Sequence, residues 1–122
     1  MKPILAAFAA LQLLTGALLW LAPGFFYEHV GPFGPRNEHY MGDLATWHLA
    51  LGALALVAVR RRDWRGPVLA LALAQSVLHA FNHLLDVGQA DPAWLGPATL
   101  ISLVLLSGLA AWMLNTTGTR AR

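Results

Sequence analysis

Ionisable side chains lie inside or beside apolar segments of this sequence, spaced as they would be along one face of a helix. His39 and Asp43 are four residues apart. His79 and His83 are also four apart, and Asp86 follows His83 by three. Side chains three and four residues apart share one face of an α-helix. Because ionisable groups are costly inside a membrane and usually mark a functional site, these five residues are candidate site residues.

The two helices that carry these residues match each other in depth. With a rise of ~1.5 Å per residue, His39 and His83 lie within about one turn of the outer ends of their helices. Asp43 and His79 lie ~9–11 Å from those ends, one layer deeper. His48 is about 140° round the helix from Asp43, so it does not share that stripe. The matching layers predict that the two polar stripes face each other.

A metal site is the first chemistry that this pattern supports. Imidazole and carboxylate groups suit Zn, Fe or Cu, and two such pairs on facing helices supply up to four ligands. The predicted metal ligands are His39, Asp43, His79 and His83. Groups that would hydrogen-bond to these ligands and fix the imidazole tautomers are Glu38, Gln75, Asn82 and Asp86.

Two other chemistries fit the same residues. The first is haem b held by two axial histidines, with His39 or His48 from one helix and His79 or His83 from the other as cofactor-binding residues. The second needs no cofactor: Asp43 and His79 act as catalytic acid and base on a lipid-soluble, isoprenoid-like substrate, as in an isomerase, cyclase or hydrolase. The leading hypothesis from the sequence is a site that binds a metal or haem, with or without enzymatic activity, and cofactor-free acid/base catalysis is the alternative.

A structural role is the alternative for the deeper polar groups. Near the midplane, at ~16 Å from the outer ends, His48 and Gln75 match Gln12 of the first helix in depth. Polar side chains at that depth commonly join membrane helices by hydrogen bonds. Gln12 and Gln75 are therefore more typical of helix–helix contacts than of catalysis, whereas His48 is equally compatible with a core hydrogen bond and with a ligand.

The composition predicts a membrane protein. Of 122 residues, 57% are hydrophobic and only 11% are charged, which is too apolar for an ordinary soluble domain. The basic residues flank apolar runs instead of forming a phosphate-binding surface, so nucleic acid is not an expected partner. The chain has no cysteine, which excludes disulfides, thiolate ligands and cysteine nucleophiles.

Four apolar stretches define the predicted fold, an all-α, four-transmembrane-helix bundle forming a single domain. The predicted helices cover about residues 4–21, 37–59, 67–85 and 92–114, each near the ~20 residues that a helix needs to cross a bilayer. All basic residues except Arg36 fall at one end of such a bundle. The positive-inside rule then places both termini in the cytoplasm, with residues 115–122 as a polar cytoplasmic tail. The expected location is a bacterial inner membrane.

The outer loop and the helix surfaces suggest further partners. Residues 22–36 combine aromatic side chains with glycine and proline, which indicates a segment lying on the membrane interface that could form a lid. A small transporter or accessory subunit would require a homodimer, because four spans are few for a transport pathway. Small residues at Ala70, Ala74 and Gly108 offer close-packing surfaces for a second copy. However, residues 68–74 are wholly apolar, which favours a closed-bottomed site over a conduit.

The chain resembles the DoxX-like group of small bacterial membrane proteins. The resemblance rests on the small size, the four spans, the arginine-rich turn and the residues Asn37-Glu38-His39, Asp43 and His48-Leu49-Ala50-Leu51-Gly52. It implies a compact four-helix bundle in a bacterial inner membrane. The group contributes no established catalytic residue, and the stripe from His79 to Asp86 is not part of the resemblance.

Overall fold

The structure, a computed structural model, describes residues 1–118, and every regular element in that range is helical. The elements in chain order are α1 (Lys2–Leu21), α2 (Pro23–His29), α3 (Glu38–Arg60), a 3-10 turn (Arg62–Trp64), α4 (Arg65–Leu85) and α5 (Leu95–Gly118). By length and composition, α1, α3, α4 and α5 can each cross a membrane. The predictions of an all-α fold and of four apolar spans are therefore confirmed.

The fourth span differs most from its predicted bounds. α5 begins at Leu95 instead of residue 92, because residues 92–94 form a turn in which the Pro92 carbonyl accepts a hydrogen bond from the Leu95 amide (3.0 Å). The helix also continues to Gly118, through the start of the predicted tail. There Thr116 and Thr117 donate their hydroxyl hydrogens to carbonyls of the preceding turn. Residues 119–122 lie outside the described part of the chain.

Residues 1–64 form one compact unit, in which α1 packs against α3. Two glycines allow the backbones to approach closely. A Cβ atom on Gly16 would lie 3.0 Å from the Ala45 carbonyl oxygen, and one on Gly52 would lie 3.1 Å from the Leu13 backbone nitrogen. Small residues at membrane helix interfaces permit this kind of contact, where van der Waals packing replaces the hydrophobic effect as the driving force.

Residues 65–118 belong to a second compact unit, in which α4 packs against α5. Ser107 donates a hydrogen bond to Ser76 across this interface (3.0 Å). Ser76 lies on the buried face of α4, and the other buried residues of that helix are Arg65, Val68, Leu69, Ala72 and Ala80. The face that includes Ser76 is therefore the one that contacts α5.

Candidate functional site

His39 and Asp43 lie in the first two turns of α3. Asn37 caps this helix, since its Oδ1 accepts hydrogen bonds from the backbone amides of His39 (3.1 Å) and Tyr40 (3.3 Å). The His39 Nε2 and Asp43 Oδ2 atoms are 3.7 Å apart. Both side chains are largely exposed, at 82% and 68%. Within residues 1–64 they lie on the side of α3 opposite the face that contacts α1 through Ala45.

His48 faces α1 instead. Its Nδ1 donates a hydrogen bond to Oε1 of Gln12 (2.5 Å), and Gln12 is almost completely buried in α1. This bond fixes the neutral His48 as the tautomer protonated on Nδ1, so its Nε2 keeps a lone pair. The depth match between His48 and Gln12 in the sequence thus corresponds to a direct contact that joins the two helices. A donated Nδ1 hydrogen is also the usual arrangement around metal-binding imidazoles.

The Gln12–His48 bond should make these residues energetically dependent on each other. His48→Leu leaves a buried amide without its partner, at a cost of about 1–3 kcal/mol in the free energy of unfolding. The double variant with Gln12→Leu should recover part of that loss, with a coupling energy of about 0.6–1.7 kcal/mol as for other membrane hydrogen bonds. Denaturant unfolding of the full chain in detergent micelles measures the cycle.

The control for this cycle is Ser102→Ala, because the Ser102 hydroxyl donates its hydrogen bond within its own helix, to the Ala98 carbonyl (2.8 Å). We expect Ser102→Ala combined with Gln12→Leu to be additive. Additivity of the Gln12 and His48 substitutions themselves would show that their contact contributes nothing to stability.

A chain of polar contacts runs along one stripe of α4. The Gln75 amide nitrogen donates a long hydrogen bond to Nδ1 of His79 (3.4 Å). The Nε2 atoms of His79 and His83 are 3.1 Å apart, with ring centroids separated by 4.8 Å. The three side chains are half-buried and lie beside the α5-contacting face, away from the exposed leucines of the helix. The predicted stripe on this helix is therefore a connected set of side chains.

With the Gln75 amide in this orientation, the contacts assign one tautomer to each ring. An amide nitrogen can only donate, so Nδ1 of neutral His79 accepts and its proton is on Nε2. That proton is donated to Nε2 of His83, whose own proton is then on Nδ1. Two neutral imidazoles thus share one hydrogen between facing Nε2 atoms.

The His79–His83 separation also has the dimensions of a metal-binding pair. Two nitrogens that each lie ~2.0–2.1 Å from one ion, at an angle between square and tetrahedral, are about 2.9–3.4 Å apart. The 3.1 Å distance between the Nε2 atoms falls inside this interval. For both Nε2 lone pairs to meet at one ion, the rings would have to turn from facing each other and His79 would have to change its tautomer.

The remaining predicted site residues make contacts of their own. Glu38 accepts a hydrogen bond from the Arg36 guanidinium. Asp86, just beyond the end of α4, accepts one from the Gln89 amide (2.8 Å). Asn82 is exposed on α4. Asp86 also lies close enough to His83 for its charge to act on that ring. The predicted role of Glu38, Asn82 and Asp86 in orienting ligands stays a prediction.

Within residues 1–118, no three His, Asp or Glu side chains form a group that could hold a metal ion. The structure brings the predicted residues together as separate pairs, His39 with Asp43 in the first unit and His79 with His83 in the second. The four-ligand site that would combine the two pairs stays a prediction.

A cavity of about 230 Å³ is the feature that sequence reasoning missed. It lies in the first unit, where α1 ends, α2 follows and α3 begins. Its main walls and polar groups are Phe26, Tyr27, Phe33, Arg36, Asn37 and Tyr40. The aromatic density of residues 22–36 was the available signal, and it predicted an interfacial segment without showing that this segment folds over a cavity.

Compared with protein-family models, with curated proteins and with solved structures, the chain gives no match.

Proposed function

We propose that this chain is an integral membrane protein that binds a transition-metal ion through His79 and His83. The observation that supports the proposal is the pair of facing Nε2 atoms 3.1 Å apart on one half-buried stripe of α4. Imidazole suits Zn, Cu and Fe, and two histidines four residues apart on a helix are a rigid bidentate ligand. His39 and Asp43 are the proposed additional ligands.

Gln75 gives the pair a way to change between its empty and metal-bound forms. With the proton on Nε2, His79 accepts from the Gln75 amide nitrogen. Metal binding moves that proton to Nδ1, and rotation of the amide by half a turn presents its oxygen as the acceptor. Gln75 therefore stabilises both tautomers of His79, and in the metal-bound form it orients the ligand as outer hydrogen-bond acceptors usually do.

Haem b is less compatible with this geometry than a single ion. An axial histidine directs Nε2 at the iron across an open face of the macrocycle. In α4 the two Nε2 atoms point at each other, so one ring would have to turn away before the other became axial. His48 donates its Nδ1 hydrogen to Gln12 and keeps a lone pair on Nε2, so it is better oriented for this role than His79 or His83.

The membrane placement belongs to the same proposal. Four helices are long and apolar enough to span a bilayer. The basic residues around Lys2 and the α3–α4 connection favour cytoplasmic termini in a bacterial inner membrane, by the positive-inside rule. His83 and His79 then lie in the outer half of the membrane, and the resemblance to the DoxX-like group fits this placement.

Metal binding tests the proposal directly. Protein purified in detergent with a non-histidine tag should retain or take up Zn²⁺, Co²⁺ or Cu²⁺ at about one ion per chain, measured by elemental analysis. Co²⁺ should give ligand-field absorption bands, and Cu²⁺ should show nitrogen couplings in its electron paramagnetic resonance spectrum, because two imidazoles bind it. A Soret band would favour haem instead. Protein that binds no metal at all would refute the proposal.

A further inference from the structure

The cavity in the first unit is an open one, lined in large part by the segment of the chain that lies between two spanning helices. α2 turns the chain back after α1, and residues 30–37 lead into α3. Tyr27 donates its hydroxyl hydrogen to the Gly34 carbonyl (2.6 Å), which ties α2 to this connection. Gly34 has a φ of +61°, a left-handed conformation that glycine adopts without strain. The cavity is thus held by side-chain and backbone contacts local to the first unit.

The walls of the cavity favour a flat ring. Phe26, Tyr27, Phe33 and Tyr40 present aromatic side chains to it. Aromatic rings pack well against flat ligands in stacked or edge-to-face arrangements. A volume of about 230 Å³ lies below the ~300–1,000 Å³ of pockets for drug-sized ligands, so a single fused ring system is the appropriate size.

Two polar side chains that line the cavity, Arg36 and Asn37, offer hydrogen-bond donors. Arg36 lines the cavity, and its guanidinium donates a hydrogen bond to the Glu38 carboxylate. Because that pair is already neutral, the cavity offers N–H donors without an uncompensated positive charge. Asn37 also lines the cavity. Its Oδ1 accepts the capping hydrogen bond of α3, so its NH2 group is the part that can donate a hydrogen bond to a ligand. These groups favour a neutral ligand with oxygen acceptors over a carboxylate or phosphate.

We propose that this cavity binds a neutral, lipid-soluble, flat ring compound that carries carbonyl or hydroxyl oxygens. The ring packs among Phe26, Phe33 and Tyr40, and its oxygens accept hydrogen bonds from Arg36 and Asn37. The site lies at an end of two spanning helices, where aromatic residues are typical of the membrane–water interface. A compound with an apolar ring and polar oxygens partitions to the same depth. The inference does not depend on metal binding by α4.

Three probes of the same ring size separate the alternatives. They are 1,4-naphthoquinone, which is neutral with two carbonyl oxygens, naphthalene, which has no acceptor, and 2-naphthoate, which is an anion. The chain has no cysteine, so the quinone forms no thiol adduct. We expect the full-length protein in detergent to bind naphthoquinone about tenfold more tightly than either other probe by calorimetry, since one charge-assisted hydrogen bond is worth about that factor.

Substitutions of the ion pair give the most specific test. Arg36→Ala should weaken naphthoquinone binding about tenfold. Arg61→Ala is the matched control, because Arg61 also pairs with a carboxylate two residues later, Asp63 (3.3 Å), and lies at the other end of α3. Glu38→Gln should leave Arg36 uncompensated and shift the preference towards 2-naphthoate.

Two results would overturn the inference. One is equal binding of all three probes by wild-type protein, which indicates apolar partitioning only. The other is a loss of naphthoquinone binding that is the same in the Arg36 and Arg61 variants, which places the ligand elsewhere. Retained binding in Arg61→Ala, together with a loss in Arg36→Ala, supports it.

Discussion

Gly52→Ala is expected to reduce the free energy of unfolding by about 1–3 kcal/mol, the usual cost of overpacking a close-packed interface. A Cβ atom there would lie 2.7 Å from Cγ of Leu13 and 3.1 Å from its backbone nitrogen. A rotamer change can move the leucine side chain, but it cannot move the backbone of α1. The helices must therefore separate, and the packing around Gly16 is lost with them.

The matched control is Gly42→Ala, in the same helix. A Cβ atom on Gly42 meets nothing within 4 Å. Alanine is a better helix former than glycine by about 1 kcal/mol, so this variant should be neutral or more stable than wild type. Denaturant titration of the full chain in micelles, followed by circular dichroism, compares the two. Equal stability changes in both variants would contradict the close approach of α1 and α3.

The spans were predictable because their signals are local. Length and hydropathy define the four long helices, and their observed ends agree with the predicted ones within two residues for α1, α3 and α4. Asn37 begins α3 because a short polar side chain there satisfies the first free amides. At α5 the local signal failed: proline at residue 92 suits a first helical turn, yet the chain makes a separate turn before Leu95.

The candidate site was predictable only within each helix. Spacing placed His79 and His83 on one stripe, and the structure shows their rings in contact. Spacing also placed His48 away from Asp43, and His48 indeed bonds to α1. Which helix a stripe faces depends on how side chains from distant parts of the sequence pack, and periodicity in a single helix carries no information about that. The cavity escaped prediction for the same reason, because it forms only when residues 22–37 fold back over the end of α1.

His79→Ala and His83→Ala are each expected to weaken binding of Co²⁺ or Zn²⁺ about 100-fold, or ~2.7 kcal/mol. A bidentate pair that loses one member holds the ion through a single imidazole and also loses the advantage of having two ligands fixed on one helix. Gln75→Leu should weaken binding about tenfold, the lower end of the range for such outer partners, because it removes the acceptor that orients His79 without removing a ligand. Metal titration of tag-free protein, followed by Co²⁺ absorption, measures all three.

His29→Ala is the control for the loss of a histidine as such. The His29 ring stacks on Phe25 within α2 (centroids 4.4 Å apart), and its Nδ1 donates to the Phe25 carbonyl (3.1 Å), so its contacts are local. We expect this variant to bind metal as wild type does. If His29→Ala weakens binding as much as His83→Ala, the ion is held by surface histidines in general and the α4 site is disproved.

His39→Ala and Asp43→Ala determine how many ligands the site has. If the exposed pair on α3 completes the coordination, each substitution should weaken binding by about tenfold or more and change the Co²⁺ absorption intensity, because the geometry of the ion changes with its ligands. If α4 alone holds the ion, affinity and spectrum should match those of wild type, with solvent in the remaining positions. A change in the α3 variants but not in His79→Ala or His83→Ala would move the site to α3, since an ion bound through both pairs must respond to the loss of either.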